Sequence, residues 1–196
     1  MTSTQKYYEK NAKKFIEETL DKAMHLQYAL FEKHIPKPSS ILDAGCGSGR
    51  DSLYFKNKGH KVTAFDNSQQ MCDFAARLLG QEVLHLGFKE LDFKKSFDAV
   101  WASASLLHIS KQQMPEILQK LGSALKDRGT VYASFKYGNN EFIKEGRFFN
   151  AYTEESFTEL IKQTSFTCIE TVIIPDTRPH REDESWLNVI LTIGKS

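Results

Sequence analysis

The sequence predicts one α/β domain built on a mostly parallel sheet, and three observations carry that prediction. A glycine turn joins an apolar strand to a helix start in Ile41-Leu42-Asp43-Ala44-Gly45-Cys46-Gly47-Ser48-Gly49-Arg50-Asp51-Ser52-Leu53-Tyr54-Phe55. Strand and helix patterns then alternate as far as Phe135. A carboxylate, Asp66, ends the second strand about twenty residues beyond the glycines, where such a fold meets a ribose. Glycines in the turn permit positive φ and leave no Cβ in the way of a ligand.

The N-terminal stretch Thr4 to His34 carries apolar residues near the helical period and reads as one helix, ended by Pro36 and Pro38. Asp51 to Lys58 is a helix stopped by Gly59. Lys61 to Phe65 is the second strand. Ser68 caps a helix that runs to Leu79 and stops at Gly80. Gln81 to Leu86 is the third strand and Phe97 to Trp101 the fourth. Lys111 to Lys126 is a helix, because Pro115 is tolerable in a first turn. Lys126 to Gly129 turns into a fifth strand, Thr130 to Phe135. Tyr137 to Asn140 and the aromatic stretch Glu145 to Tyr152 are expected as loops. Thr153 caps a helix, Glu154 to Gln163. Two strands close the chain, Phe166 to Ile174 and Trp186 to Ile193, around the charged loop Pro175 to Ser185.

Composition narrows the function. The chain has 196 residues, a length suited to one domain. Its 26 Lys and Arg against 25 Asp and Glu give a net charge of +1, so no strong field points to nucleic acid or an anionic membrane. No long apolar run and no signal-peptide pattern is present, and a cytoplasmic location is expected. The 3 cysteines are widely spaced, and no histidine pair has ligand spacing, so no disulfide framework and no metal is expected.

The spacing G-x-G-x-G differs from the dinucleotide fingerprint G-x-G-x-x-G. Asp43 before it would repel a pyrophosphate and attract a cation. The turn resembles motif I of the class I S-adenosylmethionine-dependent methyltransferases, whose cofactor carries a sulfonium and an ammonium. With the distant Asp66-Asn67-Ser68, it is similar to the branch that includes tellurite-resistance and related small-molecule methyltransferases.

The resemblance implies a seven-stranded Rossmann-like class I methyltransferase sheet, mostly parallel with the last strand antiparallel and helices on both faces. Residues 1–196 form a single domain, with 1–38 as an N-terminal helical lid segment and 39–196 as the cofactor-binding and catalytic core. Cofactor contacts are expected from Tyr8, Asp43, Gly45, Cys46, Gly47, Gly49, Arg50, Asp66 and Asn67. Phe88 is expected against the adenine, and the small residues Ala102 and Ser103 against the methionine part. The family commonly has an acidic residue at the end of the third strand, where this chain has Gly87.

His108, Arg147, Tyr152 and Arg178 are candidate substrate-facing residues, His108 also a candidate base. Either arginine would suit an anionic acceptor. The implied reaction is direct displacement at the methyl carbon, needing a base only for an acceptor protonated at neutral pH. The expected partner is a small-molecule acceptor, without nucleic acid or membrane, for a monomer or homodimer. A tRNA or rRNA methyltransferase and a non-catalytic cofactor-binding protein of the same fold are the alternatives. A nicotinamide oxidoreductase is disfavoured by the glycine spacing.

Overall fold

Alternation in the sequence becomes alternation across a sheet. In β1 (Ser40–Ala44), Ile41 points to one apolar layer and Leu42 and Ala44 to the other. The same two layers sort Ala99 and Trp101 from Val100 and Ala102 in β4 (Phe97–Ala102). They sort Tyr132 from Val131 and Ala133 in β5 (Leu125–Tyr137). A strand buried on both faces in this way belongs to a parallel sheet covered by helices. The computed structural model describes residues 1–176, 178, 181 and 183–194.

The remaining strands are β2 (Lys61–Asp66), β3 (Leu84–His85), β6 (Glu141–Lys144), β7 (Arg147–Tyr152), β8 (Phe166–Pro175) and β9 (Ser185–Ile193). The main sheet runs β3-β2-β1-β4-β5-β9-β8, seven strands with β9 antiparallel to both neighbours. The expected sheet and its antiparallel last strand are therefore present. The order reverses between β1 and β4, and a ligand crevice opens above the carboxyl ends of strands at such a point.

The helices are α1 (Ser3–Thr19), α2 (His25–Glu32), α3 (Arg50–Asn57), α4 (Gln69–Leu79), α5 (Met114–Ala124) and α6 (Glu154–Ile161). Ser68 Oγ accepts the Met71 N–H, and Gly80 ends α4 at φ +61°. Pro115 sits in the first turn of α5, as its missing N–H requires. No helix is long and apolar enough to cross a membrane among the described residues.

Several boundaries differ from the sequence-based expectation. The single helix over Thr4 to His34 is two helices. Ala12 and Ile16 of α1 pack on Met71 of α4, whereas Met24, Tyr28 and Phe31 pack on Ile41, Phe55 and Trp101 against the sheet. One straight helix cannot serve both surfaces, so the chain breaks between Thr19 and His25. The third strand shrinks to Leu84–His85, where it has a partner on one side only. The turn expected at Lys126 to Gly129 is an irregularity within β5, with Arg128 at φ +62°.

The largest difference lies in the aromatic stretch expected as a loop. Residues Glu141–Tyr152 form a β6–β7 hairpin, attached where β7 meets the end of β5. Its two turn residues, Glu145 and Gly146, both have positive φ, +52° and +77°. Two such residues give the twist that matches a tight hairpin.

Candidate active site

The glycine turn is stitched to the end of β2. Gly45 and Cys46 donate to Phe65 O at 3.0 and 2.9 Å, and Gly47 donates to Asp66 Oδ2 at 2.9 Å. Asp66 Oδ1 accepts the Ser68 N–H at 2.9 Å. A Cβ on Gly45 would lie 2.6 Å from Ser105 Cβ, so that glycine lets a neighbouring loop approach. A Cβ on Gly47 would meet only a ring carbon of Phe15, at 3.6 Å. Gly47 therefore keeps clear a space bounded by the sheet on one side and α1 on the other.

That space is a cavity of about 830 Å³, toward the upper end of the range for small-molecule sites. Gly45, Cys46, Gly47, Asp66, Asn67 and Phe88 line its β1–β2 end. Ser103, Leu107 and His108 form the wall after β4, while Tyr8 and Phe15 of α1 close the cavity from above. Arg147 and Phe149 of β7 line another wall, and Lys136, Arg178 and Trp186 form the end above β5 and β9.

Of the sequence-predicted site residues, Tyr8, Gly45, Cys46, Gly47, Arg50, Asp66, Asn67, Phe88, Ser103, His108, Arg147 and Arg178 are brought together around this one cavity. Asp43, Gly49, Ala102 and Tyr152 are not on its wall. Asp43 lies beneath the turn and accepts the Ser52 hydroxyl at 2.6 Å. Ala102 is a core residue. A Cβ on Gly49 would press on Ala75 of α4 at 3.0 Å, so its absence serves helix packing. Tyr152 packs against Phe135 and Phe157, and its hydroxyl accepts from Asn150 Nδ2 at 3.1 Å. Its place in the aromatic stretch suggested the cavity, but alternation along β7 turns it into the core.

Electrostatics follow from burial. Burial and the nearby Asp51 push the Asp43 carboxyl well above the usual range. Asp43 thus tends to be neutral, and the negative charge expected beside the turn falls to Asp51; burial raises Asp66 as well, against the pull of the Gly47, Ser68 and Asn67 N–H groups. Burial also raises Asp51, but Arg50, Tyr28 and Trp101 donate to it and hold it low. Burial pushes the Cys46 thiol well up, which leaves it a poor nucleophile.

His108 is half-buried, and its loss of solvation lowers its pKa to about 4. Its Nδ1 lies 2.6 Å from Phe148 O, a group that only accepts, so Nδ1 carries the proton. Nε2 then accepts the Tyr8 hydroxyl at 3.0 Å. Burial raises Tyr8 to about 12, so the phenol keeps its proton and the pair is a neutral clasp between α1 and the wall. Because the folded state resists protonation, the clasp contributes stability above the unfolded pKa of 6.5 that is lost as pH falls toward about 4. Urea unfolding at stepped pH should show this fall in the wild type and a smaller one in His108→Gln. Identical slopes in the two proteins would rule out His108 as the source of the pH dependence.

Sequence reasoning missed Lys22, Met71, Glu90, Lys136 and Trp186 on the cavity wall. Glu90 had one local sign: the missing acid at Gly87. Its Oε2 accepts the Gly87 N–H at 2.6 Å, so a carboxylate stands beside that position after all. Lys22 and Trp186 have no such sign, since each reaches the cavity only through the packing of distant elements.

Comparisons with known proteins agree with this architecture. A family model described as a methyltransferase domain matches residues 41–129. An uncharacterized methyltransferase of Staphylococcus carnosus is 26% identical over 138 residues, 67% of this chain and 65% of that protein. The probable S-adenosyl-L-methionine-dependent methyltransferase TehB of Haemophilus influenzae is 25% identical over 92 residues, 44% of this chain and 32% of that protein. The chain thus spans between 32% and 65% of the length of these curated relatives. Among solved structures, the 1,6-didemethyltoxoflavin-N1-methyltransferase of Burkholderia thailandensis superposes with a TM-score of 0.85 at 23% identity. The overlap covers 98% of this chain and 88% of that one. The family-model match falls on the glycine turn and the strands that flank the crevice. In that match, in the seven-strand order and in these relatives, the chain is similar to S-adenosylmethionine-dependent methyltransferases.

Proposed function

We propose that the protein transfers a methyl group from S-adenosylmethionine to a small-molecule acceptor held under α1. The observation that carries this reading is the cavity itself. It is continuous from the Asp66–Phe88 end to the Arg178–Trp186 end and is roofed by an N-terminal helix. A site closed in this way suits a ligand that enters whole, whereas a base in a nucleic acid would have to be flipped into it.

The residues present fit the cofactor. The Gly47 face is free of side chain, and Asp66 keeps lone pairs beyond those used by Gly47 and Ser68, which suits ribose hydroxyls. Phe88 offers an apolar face for a purine, with Glu90 and Asn67 beside it. When bound, the cofactor supplies an electrophilic methyl group on a sulfonium.

The chain's own part is position and dryness. Tyr8 and Phe15 exclude water from above, and Ser103 leaves room beside the end of β4. His108 does not have a free base lone pair, since Tyr8 occupies Nε2. The acceptor is therefore one that reaches its nucleophilic form without a strong base from the protein. Residues 1–38 act as the lid and 39–196 as the core in this reading.

Asp66→Ala should weaken S-adenosylhomocysteine binding by about 1–3 kcal/mol, the range for leaving a buried hydrogen-bonding group without its partner. Calorimetry measures this, and a folded variant with unchanged affinity would refute the ribose assignment. A screen of acceptor classes with methyl-labelled cofactor tests the activity. Labelling of RNA rather than of any small molecule would overturn the small-acceptor reading.

A further inference from the structure

We propose that the acceptor carries an anionic group, a carboxylate or phosphate, and that Lys22, Arg178 and Trp186 form the subsite that reads it. This rests on the methyltransferase reading above and names the substrate class of the same cavity. All three residues line the cavity. Trp186 is on β9, separated from β2 in the sheet by β1, β4 and β5. At about 4.8 Å between neighbouring strands, the two lie roughly 19 Å apart. The subsite is thus far from Asp66 and Phe88, beyond the point where the strand order reverses.

Among the described residues, Lys22, Lys136, Lys144, Arg178 and Arg181 outnumber the carboxylates of Asp176, Asp183 and Glu184. Asp176 is completely engaged: it pairs with Arg178 through Nε at 2.9 Å and through Nη2, and takes Lys136 at 3.2 Å and Trp186 Nε1 at 3.0 Å. Glu184 is shared by Lys136, Lys144 and Arg181. Lys22 has no carboxylate within ion-pair distance among the described residues, and its ammonium lies 5.7 Å from the Trp186 ring centre. Burial and the Arg178 charge lower its pKa to about 8, the behaviour of an ammonium short of a counter-ion. Arg178 uses Nε and Nη2 on Asp176, and among the described residues its Nη1 has no hydrogen-bond acceptor. Its guanidinium also lies 5.7 Å from the Trp186 ring centre.

An ammonium and a guanidinium nitrogen, neither with a carboxylate of its own among the described residues, thus lie near one indole. An anion there would give Lys22 its counter-charge and take the Arg178 Nη1 donor. The Lys136 ammonium lies 4.2 Å from the same ring centre, and the rest of the indole offers apolar surface to a group attached to that anion. Arg147 is not part of this subsite, because its guanidinium packs on Tyr7 at 4.3 Å and its Nη2 holds Glu145.

The test titrates the full chain, with and without saturating S-adenosylhomocysteine, with benzoate, benzamide and inorganic phosphate. Calorimetry and tryptophan fluorescence are the readouts. Benzoate or phosphate should bind the loaded protein and benzamide should not. Lys22→Met should lower the anion's affinity about tenfold or more, and Lys22→Arg should retain it. Cofactor-product affinity in Lys22→Met should stay within about twofold of the wild type. Equal binding of benzoate and benzamide, no anion binding, or anion binding indifferent to Lys22→Met overturns the proposal. Anion binding only in the absence of S-adenosylhomocysteine, with Lys22→Met weakening that ligand instead, also overturns it. The cations would then hold the cofactor's own carboxylate. Failure of S-adenosylhomocysteine to bind the wild type refutes the methyltransferase reading separately.

Discussion

Replacing Asp51 by alanine should cost the fold about 3–5 kcal/mol, the range for breaking a buried ion pair by removing one partner. Asp51 is buried at the start of α3 and accepts from three side chains. The Tyr28 hydroxyl donates at 2.6 Å, Trp101 Nε1 at 2.8 Å, and Arg50 through Nε at 2.6 Å and Nη2 at 3.0 Å. Alanine would strand all three donors, two of them in the aromatic layer between α2 and the sheet. Arg50 also donates to Thr19 O at 2.8 Å, so the loss would reach the end of α1. Domains of this kind are stable by about 5–15 kcal/mol, so the variant should lie near the edge of folding. Asp51→Asn keeps two acceptor lone pairs and should cost less. Urea unfolding of the three proteins measures the series, and an alanine variant within about 1 kcal/mol of wild type would show that the donors find other partners.

Gly47→Val should lower S-adenosylhomocysteine affinity by about a hundredfold or more, which is about 2.7 kcal/mol. The added side chain would enter the space between the turn and Phe15. A branched residue also resists the left-handed backbone at φ +54°, at a cost of about 1–2 kcal/mol, so some stability is lost as well. The binding loss should exceed the stability loss. Calorimetry on the folded fraction, checked by thermal unfolding, separates the two. Retained affinity would mean that no ligand passes close to Gly47.

The elements read most securely were those whose signals are local. The glycine turn, the Ser68 cap, the Gly80 stop and the strands β1 and β4 depend on neighbours within a few residues, and each formed where the pattern put it. The β6–β7 hairpin was also locally encoded, since Glu145-Gly146 separates Phe142-Ile143 from Phe148-Phe149 as a two-residue turn separates strands. The aromatic content obscured that pattern. The break between α1 and α2 was not local, because the helical period is similar on both sides of it.

By itself, then, the sequence determined the sheet order's raw material, the turn beneath the cavity and the carboxylate at its edge, because backbone conformation and strand alternation are set over short spans. Tertiary structure decided which side chains share the cavity. Tyr8 meets His108 across a hundred positions, and Lys22 approaches Trp186 across more than that, only because α1 and the segment after it lie over the same end of the sheet that β4 and β9 reach. It also decided which charges survive. Asp43 and Asp51 are alike as residues, yet burial beside the Asp51 charge tends to neutralise one, while direct hydrogen bonds from Arg50 and two further donors keep the other charged.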